Sequence, residues 1–302
     1  MLEQEDTIAY LLVAHGSGKT MLARRLPSIL PDITFKESLE ISKIHSIAGT
    51  LSNNDALITS RPFRSPHHTI SSVALVGGGS YPKPGEISLA HYGVLFLDEL
   101  PEFKRSTLEV MRGPLEDNQV TISRASGTLT YPCNFMLIAS MNPCPCGYYG
   151  SKEKECNCTP NEISKYMGKI SGPLLDRIDI QIEVSPVKYE KLENDEVPES
   201  SEVIKERVNN ARKIQLERFK GTDIVCNSEL TPSLINKYCK LGKEEKDILQ
   251  SAFQKLGLSA RAYNRILKVA RTIADMEQSE NIKVEHLAEA IQYRSLDRKY
   301  LK

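Results

Sequence analysis

Gly16-Ser17-Gly18-Lys19-Thr20 stands between an apolar run of strand length, Ile8 to Val13, and a stretch that reads as helix from Lys19 to Leu30. A glycine-rich turn between a strand and a helix start is a phosphate cradle, because its backbone N–H groups and the helix N-terminus face the anion. In such a loop Lys19 reaches the outer phosphates and Thr20 binds Mg²⁺. Gly16, Ser17, Gly18, Lys19 and Thr20 are therefore the candidate nucleotide-binding residues, with ATP the expected ligand. The full pattern asks for one more glycine, four residues before Ser17. Val13 stands there instead, followed by Ala14 and His15.

Working outward, Val94-Leu95-Phe96-Leu97-Asp98-Glu99 supplies the matching half. Four apolar residues bury a strand whose end projects two carboxylates at the sheet edge where α/β proteins bind ligands. Asp98 is placed to hold Mg²⁺ and Glu99 to polarise an attacking water. A third buried run, Phe135 to Met141, ends at Asn142, whose amide can orient that water. Arg177, in Gly172 to Asp179, is a candidate for a neighbouring subunit's phosphates, and Arg261 opens a helix that could reach the terminal phosphate. The plain alternatives are an ion pair of Arg177 with Asp176 or Asp179, and a solvated face shared by Arg261, Arg265 and Lys268. Buried strands alternating with helices predict an α/β fold with a parallel sheet flanked by helices.

The expected core spans residues 1–186, with an insert at about 61–90, a β-hairpin at about 118–132 and a cysteine-rich loop at 144–158. A helix is expected over Ser106 to Leu115. A polar linker, 187–203, leads to an all-helical lid at 204–302, in which Ser201, Thr231 and Ser259 are expected helix caps. Cys144-Pro145-Cys146 and Cys156-Asn157-Cys158 bring four thiols onto one loop, a ligand set for structural Zn²⁺ or a reduced cysteine-rich surface loop. His67-His68 has no carboxylate partner close in sequence and reads as part of the insert.

Composition bounds the partners. No apolar run approaches the ~20 residues that span a bilayer, and the acidic start, with Glu3, Glu5 and Asp6, does not read as a signal peptide. With seven cysteines in this spacing, the expected location is the cytoplasm. Basic and acidic residues balance at 39 each, so the chain as a whole exerts no pull on nucleic acid. Any DNA contact must come from local clusters, for which Arg61, Arg64 and Arg124 are the candidates.

Arg61 to Thr69, Gly85 to His91, Gly93 to Arg105, Met141 to Gly150, Gly172 to Asp179 and Leu258 to Ala274 resemble the magnesium-chelatase-like AAA+ ATPases, and within them the ComM (YifB) subfamily. The resemblance implies a P-loop AAA+ core whose two inserts face the pore of a homo-oligomeric, hexameric ring. It also implies a sensor role for Asn142, a trans arginine finger at Arg177, a lid sensor at Arg261, and a DNA helicase or branch-migration activity on single-stranded or branched DNA. The family's large N-terminal domain is not matched, and a fragment, a misplaced start and a separately encoded N-terminal partner stay open as readings. Two rivals stay open: a metal-insertion motor of the chelatase type, and a truncated AAA+ module that does not hydrolyse ATP.

Overall fold

The computed structural model describes residues 8–13, 18–51, 56–125, 127–151, 154–184 and 199–294. Gly16, Ser17 and residues 187–198 of the expected linker lie outside the described residues. The strands are β1 Ile8–Val13, β2 Phe63–Arg64, β3 Gly77–Gly78, β4 Lys83–Pro84, β5 Val94–Leu97, β6 Gln119–Arg124, β7 Gly127–Pro132, β8 Met136–Met141 and β9 Ile180–Val184. The helices of the first part are α1 Lys19–Ile29, α2 Phe35–Ala48, α3 Ser72–Val76, α4 Glu86–Leu89, α5 Arg105–Glu109, α6 Arg112–Asp117, α7 Pro160–Met167 and α8 Gly172–Leu175. Those of the second part are α9 Ser201–Arg218, α10 Pro232–Tyr238, α11 Lys243–Leu256, α12 Ala260–Met276 and α13 Val284–Gln292.

Five strands form a parallel sheet in the order β2-β5-β8-β1-β9. All four residues of β5 are buried, the mark of a strand covered on both faces. Register fixes the functional edge: Leu97 pairs with Ala139 and Leu12 with Met141. The strand ends that continue into Asp98, Asn142 and the phosphate loop therefore come out side by side. At the opposite end of β5, Gly93 is required because a Cβ there would lie 2.1 Å from the Pro62 carbonyl oxygen.

Local signals set the boundaries. Thr34 and Glu37 close a capping box on α2, and Thr159 and Glu162 close one on α7, with Pro160 at the first helical position. The helix expected over Ser106 to Leu115 is broken into α5 and α6. Pro114 has no N–H to donate and crowds the preceding turn, so one continuous helix cannot form. Ser200, not Ser201, caps α9 through the Val203 N–H, whereas Ser259 caps α12 as its sequence suggests. The C-terminal helices share a separate core around Leu230, Leu249, Ile266, Ala270 and Leu287. Within it the fully buried Asp275 carboxylate is held by Arg218 and Arg271, which satisfies a charge that would otherwise be costly to bury. No helix among the described residues is long and apolar enough to cross a membrane.

Candidate nucleotide site

At the carboxyl edge of the sheet four predicted residues meet. Lys19 Nζ donates to Asn142 Oδ1 at 2.7 Å, and Thr20 Oγ1 donates to Asp98 Oδ2 at 3.0 Å. Gly18 sits at the N-cap of α1 with φ of 71°, a left-handed conformation that glycine adopts without a Cβ penalty. Burial lowers the Lys19 pKa from its ordinary value, and the nearby Asp98 and Glu99 carboxylates pull it back up. An ammonium, a hydroxyl and a carboxylate on hard oxygen donors are the groups a Mg²⁺-nucleotide needs.

One neighbour of this cluster, Ser140, is not among the residues that the sequence points to. The buried Ser140 hydroxyl donates to Asp98 Oδ1, and the Glu99 N–H donates to the same oxygen at 3.1 Å, so both oxygens of Asp98 are oriented. A polar residue inside the buried run of β8, two positions before Asn142 and hence on the same face, was the available signal. Glu99 itself has φ of 54°, a left-handed conformation uncommon for a residue with a side chain, of the kind found where a site dictates backbone geometry. Its Oε2 lies 3.6 Å from His68 Nδ1. The carboxylate partner missing from the sequence neighbourhood of His68 is thus supplied across the fold. His68 is steadied by His67, with ring centroids 4.0 Å apart, and by the edge of Phe103 at 6.3 Å.

Beside Asn142, the four cysteines converge. Their sulfurs lie within 4.8 Å of one another, with Cys144 to Cys146 at 3.3 Å, Cys144 to Cys156 at 3.7 Å and Cys146 to Cys156 at 3.6 Å; Cys158 completes the group. A tetrahedron of ~2.3 Å zinc–sulfur bonds has edges of about 3.8 Å, so the donor set fits. The Tyr149 N–H donates to Cys144 Sγ at 3.3 Å, a contact that orients the sulfur. Burial raises the Cys146 thiol, but hydrogen bonds from the Tyr148 backbone and the neighbouring thiols outweigh it and bring the thiol down to about 6.

The two arginines assigned to the reaction do not join the phosphate cluster. Arg177 is buried, with Nη2 paired to Glu116 Oε1 and Nη1 donating to the Pro173 carbonyl at 2.5 Å, so its partner is neither Asp176 nor Asp179. Asp179 instead pairs with Arg265, which also donates to the Arg177 carbonyl at 2.5 Å. Arg294 donates to the Ile178 carbonyl. All of this lies just before β9, at the amino edge of the sheet. Arg261 is exposed, one turn from Arg265 on α12, and the structure does not bring it to Lys19 and Asp98. Among the proposed DNA-facing arginines, two are engaged internally. Arg61 is buried and donates to the Pro31 and Tyr92 carbonyls at 2.6 and 2.8 Å, and Arg64 forms a two-pronged pair with Glu86 at 2.6 and 2.7 Å. Arg124 alone of the three is exposed.

Residues 9–192 match the family model described as magnesium chelatase, subunit ChlI, and residues 198–294 match the model of that subunit's C-terminal part. The chain is 46% identical to the protein YifB of Escherichia coli over 94% of its length, covering 55% of that relative. The Salmonella typhimurium YifB is 46% identical over 94% of this chain and 55% of its own length. Competence protein ComM of Haemophilus influenzae is 45% identical over 94% of this chain and 54% of its own length. The chain thus spans about half the length of the curated relatives it matches. With a parallel sheet carrying Lys19, Asp98 and Asn142 at one edge and a helical region following it, the chain belongs to the magnesium-chelatase-like AAA+ family, of the ComM and YifB type.

Proposed function

We propose that this chain is the ATP-hydrolysing core of a hexameric ring motor that works on DNA in the cytoplasm, with branch migration of recombination intermediates as its activity. The observation that carries the ATPase reading is the meeting of Lys19, Thr20, Asp98 and Asn142, with Glu99 at the rim. Lys19 and the N-terminus of α1 would bind the phosphates and Thr20 and Asp98 would hold Mg²⁺, while Asn142 orients the attacking water and Glu99 takes its proton. When bound, Mg²⁺ supplies charge neutralisation at the phosphate oxygens. Arg177, and on this geometry Arg261 as well, serve a neighbouring subunit. The four cysteines hold a structural zinc that fixes the loop after Asn142. The name of the Haemophilus influenzae relative, a competence protein, supports DNA over a porphyrin as the substrate. Glu99→Gln tests the core of this reading: nucleotide binding should persist while turnover falls by about 10²- to 10⁴-fold. An unmodified chain that neither binds nor hydrolyses ATP with Mg²⁺ and DNA present would leave a binding module in its place.

A further inference from the structure

The two inserts meet at one tip. The Tyr131 hydroxyl of β7 donates to the Pro82 carbonyl at 2.8 Å, tying the β6–β7 hairpin to the short β3–β4 hairpin. Within the β3–β4 hairpin a Cβ on Gly77 would lie 2.5 Å from the Lys83 carbonyl oxygen, and the β6–β7 hairpin packs against the same turn. A Cβ on Gly77 would stand 2.7 Å from Ile122 Cδ1, and one on Gly78 would stand 3.0 Å from Arg124 Nη2. Gly77, Gly78 and Gly79 all have positive φ, of 112°, 152° and 101°. This glycine turn lifts Ser80 and Tyr81 away from the body of the protein. Tyr81 is 80% exposed, more than any other large apolar side chain among the described residues.

A single exposed ring is ordinary on a protein surface, so the surroundings of Tyr81 have to carry the argument. From Gly77 to Pro84 and from Gln119 to Pro132 the chain carries Lys83 and Arg124 and no aspartate or glutamate. Both cations are exposed, and the Arg124 guanidinium lies across Gly78 in the turn that carries Tyr81. Hydroxyls of Thr121, Ser123, Thr128 and Thr130 line the hairpin beside them. An aromatic face with cations and hydroxyls beside it, on two hairpins that themselves carry no acid, matches what a single strand offers, since its bases are free to stack and its backbone is negative. A duplex keeps its base faces covered, so a ring of this kind finds nothing to stack on there.

We propose that Tyr81 is a stacking platform for unpaired bases, with Lys83 and Arg124 holding the adjoining phosphates, so that the strand gripped at the insert tips is single-stranded DNA. This rests on the DNA reading above and narrows it. The protein has no tryptophan, so Tyr81→Trp introduces a single reporter at the tip. The assembled protein, with a non-hydrolysable ATP analogue, is titrated with an oligothymidylate and with an abasic oligomer of equal length. The base-bearing strand should quench Trp fluorescence and the abasic strand should not. Tyr81→Ala should weaken oligothymidylate binding by about 5- to 100-fold and leave abasic binding and ATP affinity unchanged, and Tyr81→Phe should restore it. Oligothymidylate binding with no quenching, and with full affinity in Tyr81→Ala, would overturn the stacking role while leaving the motor intact. Failure of the unmodified protein to bind any DNA would overturn the DNA reading and this inference together.

Discussion

The two edges of the central sheet are built on opposite principles. At the carboxyl edge, side chains from separate strand ends satisfy one another, Lys19 with Asn142 and Thr20 and Ser140 with Asp98. They leave an open site in which one ammonium faces two carboxylates. At the amino edge the guanidinium groups gather: Arg177, Arg265 and Arg294 all bond within Pro173 to Asp179 or to Glu116. The length of β9 separates the two edges, on the order of 17 Å at a strand's usual rise. On the proposed ATPase reading, Lys19 and Mg²⁺ would meet only part of a triphosphate's charge, and the guanidinium groups of Arg177 and Arg265, paired with Glu116 and Asp179, stand at the far edge. In the proposed ring a second copy would set its amino edge against the first copy's carboxyl edge. On that reading Arg177 would exchange Glu116 for the neighbour's phosphates.

That comparison is broken most directly by mixing subunits. Arg177→Ala alone should cut turnover by about 10³-fold or more while sparing nucleotide binding, as expected for a finger acting in trans. Glu99→Gln should be inactive for a different reason, at the other edge. In a mixture, a subunit with intact Glu99 sits beside one with intact Arg177 at some junctions, and turnover should return there. Subunits that exchange freely and still show no recovery would mean that both residues serve the same chain's site.

How much of this was legible in sequence follows from the range of each signal. The phosphate loop, Asp98-Glu99 and Asn142 could be read because each ends a buried apolar run, and runs of that kind bring their ends to one sheet edge. Ser140 was readable in principle, as a polar residue inside β8. The contact of His68 with Glu99 was not, because 31 residues separate them and no local pattern announces the pairing. The arginines show the converse difficulty: Arg61, Arg64 and Arg124 look alike in sequence, yet two are consumed by carbonyls and by Glu86. Charge is local information, but availability is a property of the fold. The helix expected over Ser106 to Leu115 breaks for a reason present in the chain itself, since the apolar spacing of Leu108, Met111 and Leu115 runs across Pro114.

A smaller effect sharpens the carboxyl edge alone. Protein purified without chelator should carry about one zinc per chain, the stoichiometry of a four-thiolate site. Cys144→Ser should release it. Because Cys144 follows Asn142 by two residues, turnover should drop by roughly 10-fold, as when support around a working ligand is lost. Nucleotide affinity should hardly change, since Lys19 and Thr20 lie on α1. A metal-free preparation of equal activity and stability would remove zinc from the site.

The smallest effect concerns His68, and it asks whether the insert speaks to the carboxyl edge at all. Its imidazole stands 3.6 Å from the Glu99 carboxylate, beyond a good hydrogen bond but within reach of an attractive contact. Both side chains are partly exposed, 31% for His68 and 52% for Glu99, so solvent screens the pair. With the imidazole protonated, a pair of that kind contributes ~0.2–1 kcal/mol, which corresponds to a change of about 1.4- to 5-fold in rate. His68→Ala should therefore lower kcat by a few-fold with KM for ATP unchanged, because the contact touches the residue that handles water and none that binds phosphate. His68→Gln keeps a donor within reach and should recover part of the loss. In a Glu99→Gln background the same His68→Ala change should have no further effect, since the carboxylate it positions is gone. An equal loss in both backgrounds, or a rise in KM without a change in kcat, would make His68 a packing residue of the insert and leave Glu99 positioned by its own left-handed backbone.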